Sequence, residues 1–143
     1  MKTTFFAFLL FLFTSKTCSN QVQDSVQSIT YETFTRGSAT RYEITSGLMQ
    51  VTSTGVNKSE KSIKLSEQQW AALISNLKEV KVSEINQLKA PSEGRASDAA
   101  LHAILSIRKN DTIYKTNSFD HGNAPKPIKP LVQAILRLAE NVE

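Results

Sequence analysis

Residues 111–127 read DTIYKTNSFDHGNAPKP, and the fold class turns on them. From Thr112 to Phe119, β-branched and aromatic residues alternate with polar ones, the pattern of a half-buried strand. The run stops at Asp120-His121-Gly122-Asn123, where Asp and Asn side chains bond turn backbone and Gly accepts positive φ. Just upstream, Leu101, Ala103, Leu105 and Ile107 alternate in the same way, and Lys109-Asn110-Asp111 supplies a turn, so residues 101–119 read as a hairpin. Just downstream, Ile128, Leu131, Val132, Ile135, Leu138 and Val142 recur at helical spacing. Pro127 and Pro130 fall in the first turn, where a missing amide hydrogen costs little.

The first half of the chain has a similar order. A strand carrying Ile29, Tyr31 and the segment TYETFT (residues 30–35) closes at Arg36-Gly37-Ser38, and residues 41–46 and 48–56 form a hairpin about Ser46-Gly47. A polar turn at residues 57–61 leads to a short strand at 62–65. Ser66 with Gln69 forms a capping box opening a helix, whose apolar stripe is Trp70, Leu73, Ile74, Leu77 and Val80. Val82, Ile85 and Leu88 step by three, as a further helical turn or 3₁₀ piece does. KAPSEGRASD (residues 89–98) has no apolar periodicity and reads as a surface loop. These elements predict an α+β domain: an antiparallel sheet of about five to six strands with two amphipathic helices packed on one face.

At 143 residues the chain holds one such domain. Lys2 followed by the apolar run Phe5 to Phe13 suits a secretory leader rather than a permanent span, so residues 1–19 read as a signal peptide, 20–27 as a polar tether and 28–143 as the domain. Two processing routes stay open: cleavage near Thr17-Cys18-Ser19, or lipidation of Cys18, against which stands Lys16 in the residues before it. Cys18 is the only cysteine, so the body has no disulfide, thiol nucleophile or cysteine-based zinc site. The formal charge is +4, and without Lys2 and Lys16 it is +2, too small to imply nucleic acid.

Chemistry-bearing residues gather near the second hairpin. Asp120-His121 joins a carboxylate to an imidazole that can carry a proton or ligate a metal. Because that hairpin turns at Asn110, the start of its first strand and the end of its second lie side by side, which brings Asp98 and His102 toward Asp120 and His121. No HxxxH or HExxH spacing accompanies them. A structural alternative is a clamp, in which Arg95 or Arg36 pairs with Asp98 or Asp120 and pins the long loop to the strand end. There is no GxSxG elbow, phosphate loop or dinucleotide fingerprint, and no cofactor is expected.

Arg36-Gly37, Trp70, Leu88-Lys89-Ala90-Pro91-Ser92 with Arg95 and Asp98, and Ser118-Phe119-Asp120-His121-Gly122 before Pro125 follow one another through most of the chain. In these pieces the chain resembles a group of small exported proteins of unknown function from Bacteroidota. The resemblance implies an α+β fold and a bacterial envelope setting, periplasmic, outer-membrane-anchored or secreted, and transfers no catalytic residue. The expected function is a non-enzymatic binding or interaction module that presents residues 89–98 and 120–123 to an envelope partner, with Arg36, Arg95, Asp98, Asp120 and His121 as its candidate cluster. Two alternatives accompany it: a small hydrolase or metal-dependent enzyme using His121 with Asp120 or Asp98, and an inhibitor that inserts a loop into a secreted enzyme.

Overall fold

The computed structural model describes residues 26–141. The leader, Cys18 and Val142 of the terminal stripe lie outside these residues. The fold is α+β and is built on one antiparallel sheet of seven strands: β1 (Val26–Phe34), β2 (Ala39–Ile44), β3 (Leu48–Thr54), β4 (Ser59–Lys64), β5 (His102–Lys109), β6 (Thr112–Lys115) and β7 (Phe119–Asp120). Two α-helices, α1 (Glu67–Ser75) and α2 (Lys129–Ala139), and two 3₁₀ segments, Val82–Gln87 and Gly94–Ser97, complete the described elements.

In space the strands run β4-β3-β2-β1-β5-β6, with β7 also paired to β5. Strand β1 is therefore central, joining the first three-strand meander to the second hairpin. Its register places Ile29 between Ile44 and Ile107, and Tyr31 between Tyr42 and Leu105. Period-two alternation then sorts the faces. Ile29, Tyr31, Ile44, Met49, Leu105 and Ile107 are buried, in one hydrophobic cluster with Trp70, Leu73 and Ile74 of α1 and Leu131, Val132 and Ile135 of α2. On the other face, Ser28, Thr30, Glu32, Arg41, Glu43, Ser106 and Arg108 line a shallow polar depression. Strand β4, SEKSIK, stands at the sheet edge with all but Ile63 exposed, and charge on an edge discourages pairing with another chain.

Local chemistry explains most of the boundaries. Ser66 Oγ accepts from Gln69 N–H while Gln69 returns its side chain to Ser66 N–H, the reciprocal cap expected from the sequence. Asn110 and Asp111 both hold positive φ (48° and 62°) between the paired residues Lys109 and Thr112, which is the backbone a two-residue hairpin turn requires.

Several elements depart from expectation. Helix α1 ends at Ser75 rather than running to Val80, because Asn76 caps it, with Nδ2 donating to the Ala72 carbonyl at 2.8 Å. Leu77 is still buried, carried inward by the following turn. Pro130 lies in the first turn of α2, but Pro127 precedes the helix. Strand β1 takes in Val26 and Gln27, which the polar composition had assigned to the tether. The expected strand from Thr112 to Phe119 is interrupted at residues 116–118, so the sheet has seven strands instead of five to six. At Thr116 the ladder loses half of its bonding: Thr116 N–H still donates to the Leu105 carbonyl at 3.0 Å, but Leu105 N–H goes to the buried Thr116 hydroxyl at 3.1 Å.

Candidate functional site

The end of the sheet at which β1 finishes and β5 begins carries an open cleft of about 1040 Å³. Phe34, Thr35 and Arg36 form one wall, Arg95 to Leu101 another, and His102 and His121 complete it. Four of the five candidate residues, Arg36, Arg95, Asp98 and His121, line this cleft together with His102. The fifth, Asp120, sits buried behind the wall, 4% exposed.

The hairpin geometry makes this assembly. His102 lies opposite Asp120 and Ala103 opposite Phe119, so the start of β5 and the end of β7 are neighbours, as the position of the turn at Asn110 requires. His121 N–H then donates to the Leu101 carbonyl at 2.9 Å, and Asn123 N–H to the Asp120 carbonyl at 2.9 Å, which closes the turn. Gly122 holds φ +82° within that turn, a backbone that a side chain would strain.

Asp120 is the hub of the site. Its Oδ2 accepts from Ser92 Oγ at 2.6 Å and Gly94 N–H at 2.7 Å, and its Oδ1 accepts from Arg95 N–H at 3.0 Å and Arg95 Nη1 at 3.1 Å. Asn123 Nδ2 in turn donates to Ser92 Oγ at 2.8 Å, and Arg95 Nη1 to the Ser92 carbonyl at 2.7 Å. A methyl group at Gly94 would stand 3.2 Å from Asp120 Oδ2, close enough that the carboxylate would have to shift by a few tenths of an ångström. The Ser92 hydroxyl, followed by the two backbone amides and the guanidinium, outweighs burial and holds the Asp120 carboxyl far below the usual carboxylate range. Of the four ion pairs open to the clamp reading, only Arg95–Asp120 forms. Arg36 and Asp98 are exposed and make no ion pair among the described residues.

His121 is joined to the core instead of to a carboxylate. Its Nδ1 lies 2.9 Å from the hydroxyl of Tyr31, a fully buried residue of β1. Burial, only partly offset by the Gly122 N–H donated to the phenol oxygen, raises the Tyr31 pKa well above its ordinary value, so the phenol stays protonated. The phenol and Nδ1 share this hydrogen bond in either direction, and with Tyr31 as the donor His121 carries its proton on Nε2. Burial also lowers the His121 pKa below its ordinary 6.5, so the neutral ring prevails at pH 7. His102 Nδ1 is bonded to Ser118 Oγ at 3.1 Å, and its ring stacks on Phe34 with centroids 5.1 Å apart.

This geometry bears on metal and acid–base chemistry. No group of three or more His, Cys, Asp or Glu among the described residues is placed to hold a metal ion. Asp120 turns both oxygens toward residues 92–95, so no hydrogen bond joins it to His121. Among the described residues no helix is long and apolar enough to cross a membrane.

Ser92, Asn123 and Tyr31 are the site residues that sequence reasoning missed. Ser92 and Asn123 sit in polar loops whose composition resembles any other. Tyr31 did carry a signal: in alternation with Ile29 it faces the core, and a buried phenol needs a partner. No protein-family model matches the chain, and no curated protein matches it.

Proposed function

We propose that the protein is an exported bacterial envelope protein that acts without catalysis, as a binding module whose recognition surface is the cleft between Phe34-Arg36 and residues 95–101. The resemblance to exported Bacteroidota proteins and the leader-like N-terminus support the setting. One observation carries the binding role: an open cleft walled by a loop that a single buried carboxylate fastens to the sheet from behind. A wall held by six hydrogen bonds around Asp120 and Ser92 is pre-organised, which lowers the ordering cost of any ligand that seats against it.

The reading takes both helices as packed on the apolar face of the sheet, so that the cleft end stays uncovered. It is supported by the single cluster that their buried residues share with β1, β2, β3 and β5.

The test is a photo-crosslinking residue at Leu101 in the cleft wall, compared with one at Thr30 on the polar face, in cells producing the full chain. A discrete adduct at Leu101 and none at Thr30 is the expected outcome. Turnover of any substrate that disappears in a folded His121→Ala variant would overturn the reading in favour of the hydrolase alternative.

A further inference from the structure

The cleft wall offers hydrogen-bond donors in a pattern that specifies a ligand class. Arg95 is largely buried, its side chain 17% exposed, yet all its side-chain bonds to the described residues run through Nη1. Nε and Nη2, which point the same way and form the side-on edge of the guanidinium, bond to nothing in the described protein. No buried side-chain nitrogen or oxygen lacks a partner among the described residues, so this edge reaches the surface, and Arg95 is one of the residues that line the cleft. The same reasoning applies to Nε2 of His121, a proton donor once Nδ1 accepts from Tyr31. Asp120 and the Ser92 carbonyl take only Nη1 of the guanidinium, which leaves its other edge without a partner among the described residues.

We propose that the cleft binds a monocarboxylate with an apolar body, its two oxygens on the Nε–Nη2 edge of Arg95 and its apolar part against Phe34 and Leu101. A planar fork of two parallel N–H groups matches the two oxygens of a carboxylate better than the single carbonyl oxygen of its neutral amide. Leu101 is exposed at 39% and Phe34 is backed by the stacked His102 ring, so an apolar surface lies within the same cleft. Arg36 and Asp98, both exposed on the cleft wall, carry opposite charges that offset one another, so the one fork at Arg95 sets the preference for a single carboxylate. A free small acid and the C-terminus of a peptide present this same chemistry.

The inference rests on the reading of the cleft as a binding site and is tested separately from it. The full chain is titrated with 3-phenylpropanoate and with its neutral amide, following the Arg95 Nε–H resonance and the His121 ring. The acid is expected to bind at least tenfold more tightly than the amide and to move Arg95 Nε–H. Arg95→Lys, which keeps the charge and loses the fork, is expected to reduce acid binding about tenfold and to bring the acid-to-amide ratio close to one. The tripeptide acetyl-Ala-Ala-Phe, with free or amidated C-terminus, identifies the source: tighter binding of its free acid than of 3-phenylpropanoate points to a chain terminus, and weaker binding to a small acid. Equal binding of acid and amide, or no movement of Arg95 Nε–H at any concentration, overturns the proposal. A Leu101 crosslink adduct in that case would leave the cleft a binding site for another class of ligand.

Discussion

Asp120 and Glu43 are both sheet carboxylates facing an arginine, and their surroundings set them apart. Glu43 lies on the polar face, its side chain 46% exposed, with Arg41 at 3.4 Å as its ion-pair partner. Asp120 has a side chain 6% exposed and accepts four hydrogen bonds from residues 25 to 28 positions away in the chain. Water competes for the first pair and weakens it, whereas the second is shielded, so losing the carboxylate would leave four donors facing nothing. A charge pair on this protein matters in proportion to how many neutral donors share it.

The largest effect expected from this contrast is that of Asp120→Ala. By stranding Ser92, two amides and Arg95 it should lower the melting temperature by on the order of 10 °C, and hydrogen exchange at residues 92–97 should accelerate more than in the core strands. Its pH dependence has a definite sign. A carboxyl depressed below its ordinary 3.8 in the folded state adds stability above about pH 4 that is lost as pH falls toward the folded value. The gap between wild type and Asp120→Ala should therefore narrow in acid, and a gap that widens would contradict the assignment.

Ser92→Ala removes one acceptor and one donor of the same network and should cost about 1–3 kcal/mol in denaturant titrations. An unchanged midpoint would mean that the backbone amides alone hold Asp120. His121 adds a second loss of stability in acid, at higher pH than that of Asp120 and caused by burial. Because its folded pKa lies below 6.5, the unfolded chain takes up the proton first, so stability should fall as pH drops from about 6.5 toward the folded value. In His121→Gln that decline should be smaller, measured as the difference in melting temperature between pH 7 and pH 5. Smallest of all, Glu43→Gln should change stability by less than about 0.5 kcal/mol, and a larger loss would mean that the polar face is more than a solvated surface.

Much of the architecture was legible in the sequence because its rules are local. The Ser66/Gln69 cap, the turn at Asn110-Asp111, the 3₁₀ piece from Val82 and the meander about Ser46-Gly47 each depend on residues a few positions apart. Where a local pattern met a competing bond it misled: Thr116 alternates correctly for a strand, yet its hydroxyl takes the Leu105 amide from the ladder. Asn76 in the same way ends a helix whose apolar stripe continues to Val80.

By itself the sequence determined the α+β class, the antiparallel pairing of its hairpins and the gathering of Arg95, Asp98, His102, Asp120 and His121 at one end, because turn position dictates which strand ends are neighbours. Only the tertiary structure decided which of these groups bond. Arg95 takes Asp120 while Arg36 stays at the cleft rim, and His121 pairs with Tyr31, 90 residues earlier, instead of with a carboxylate. Periodicity states the face on which a side chain lies. The partner it meets there depends on donors and acceptors arriving from distant segments at hydrogen-bond range, and no local pattern records that distance.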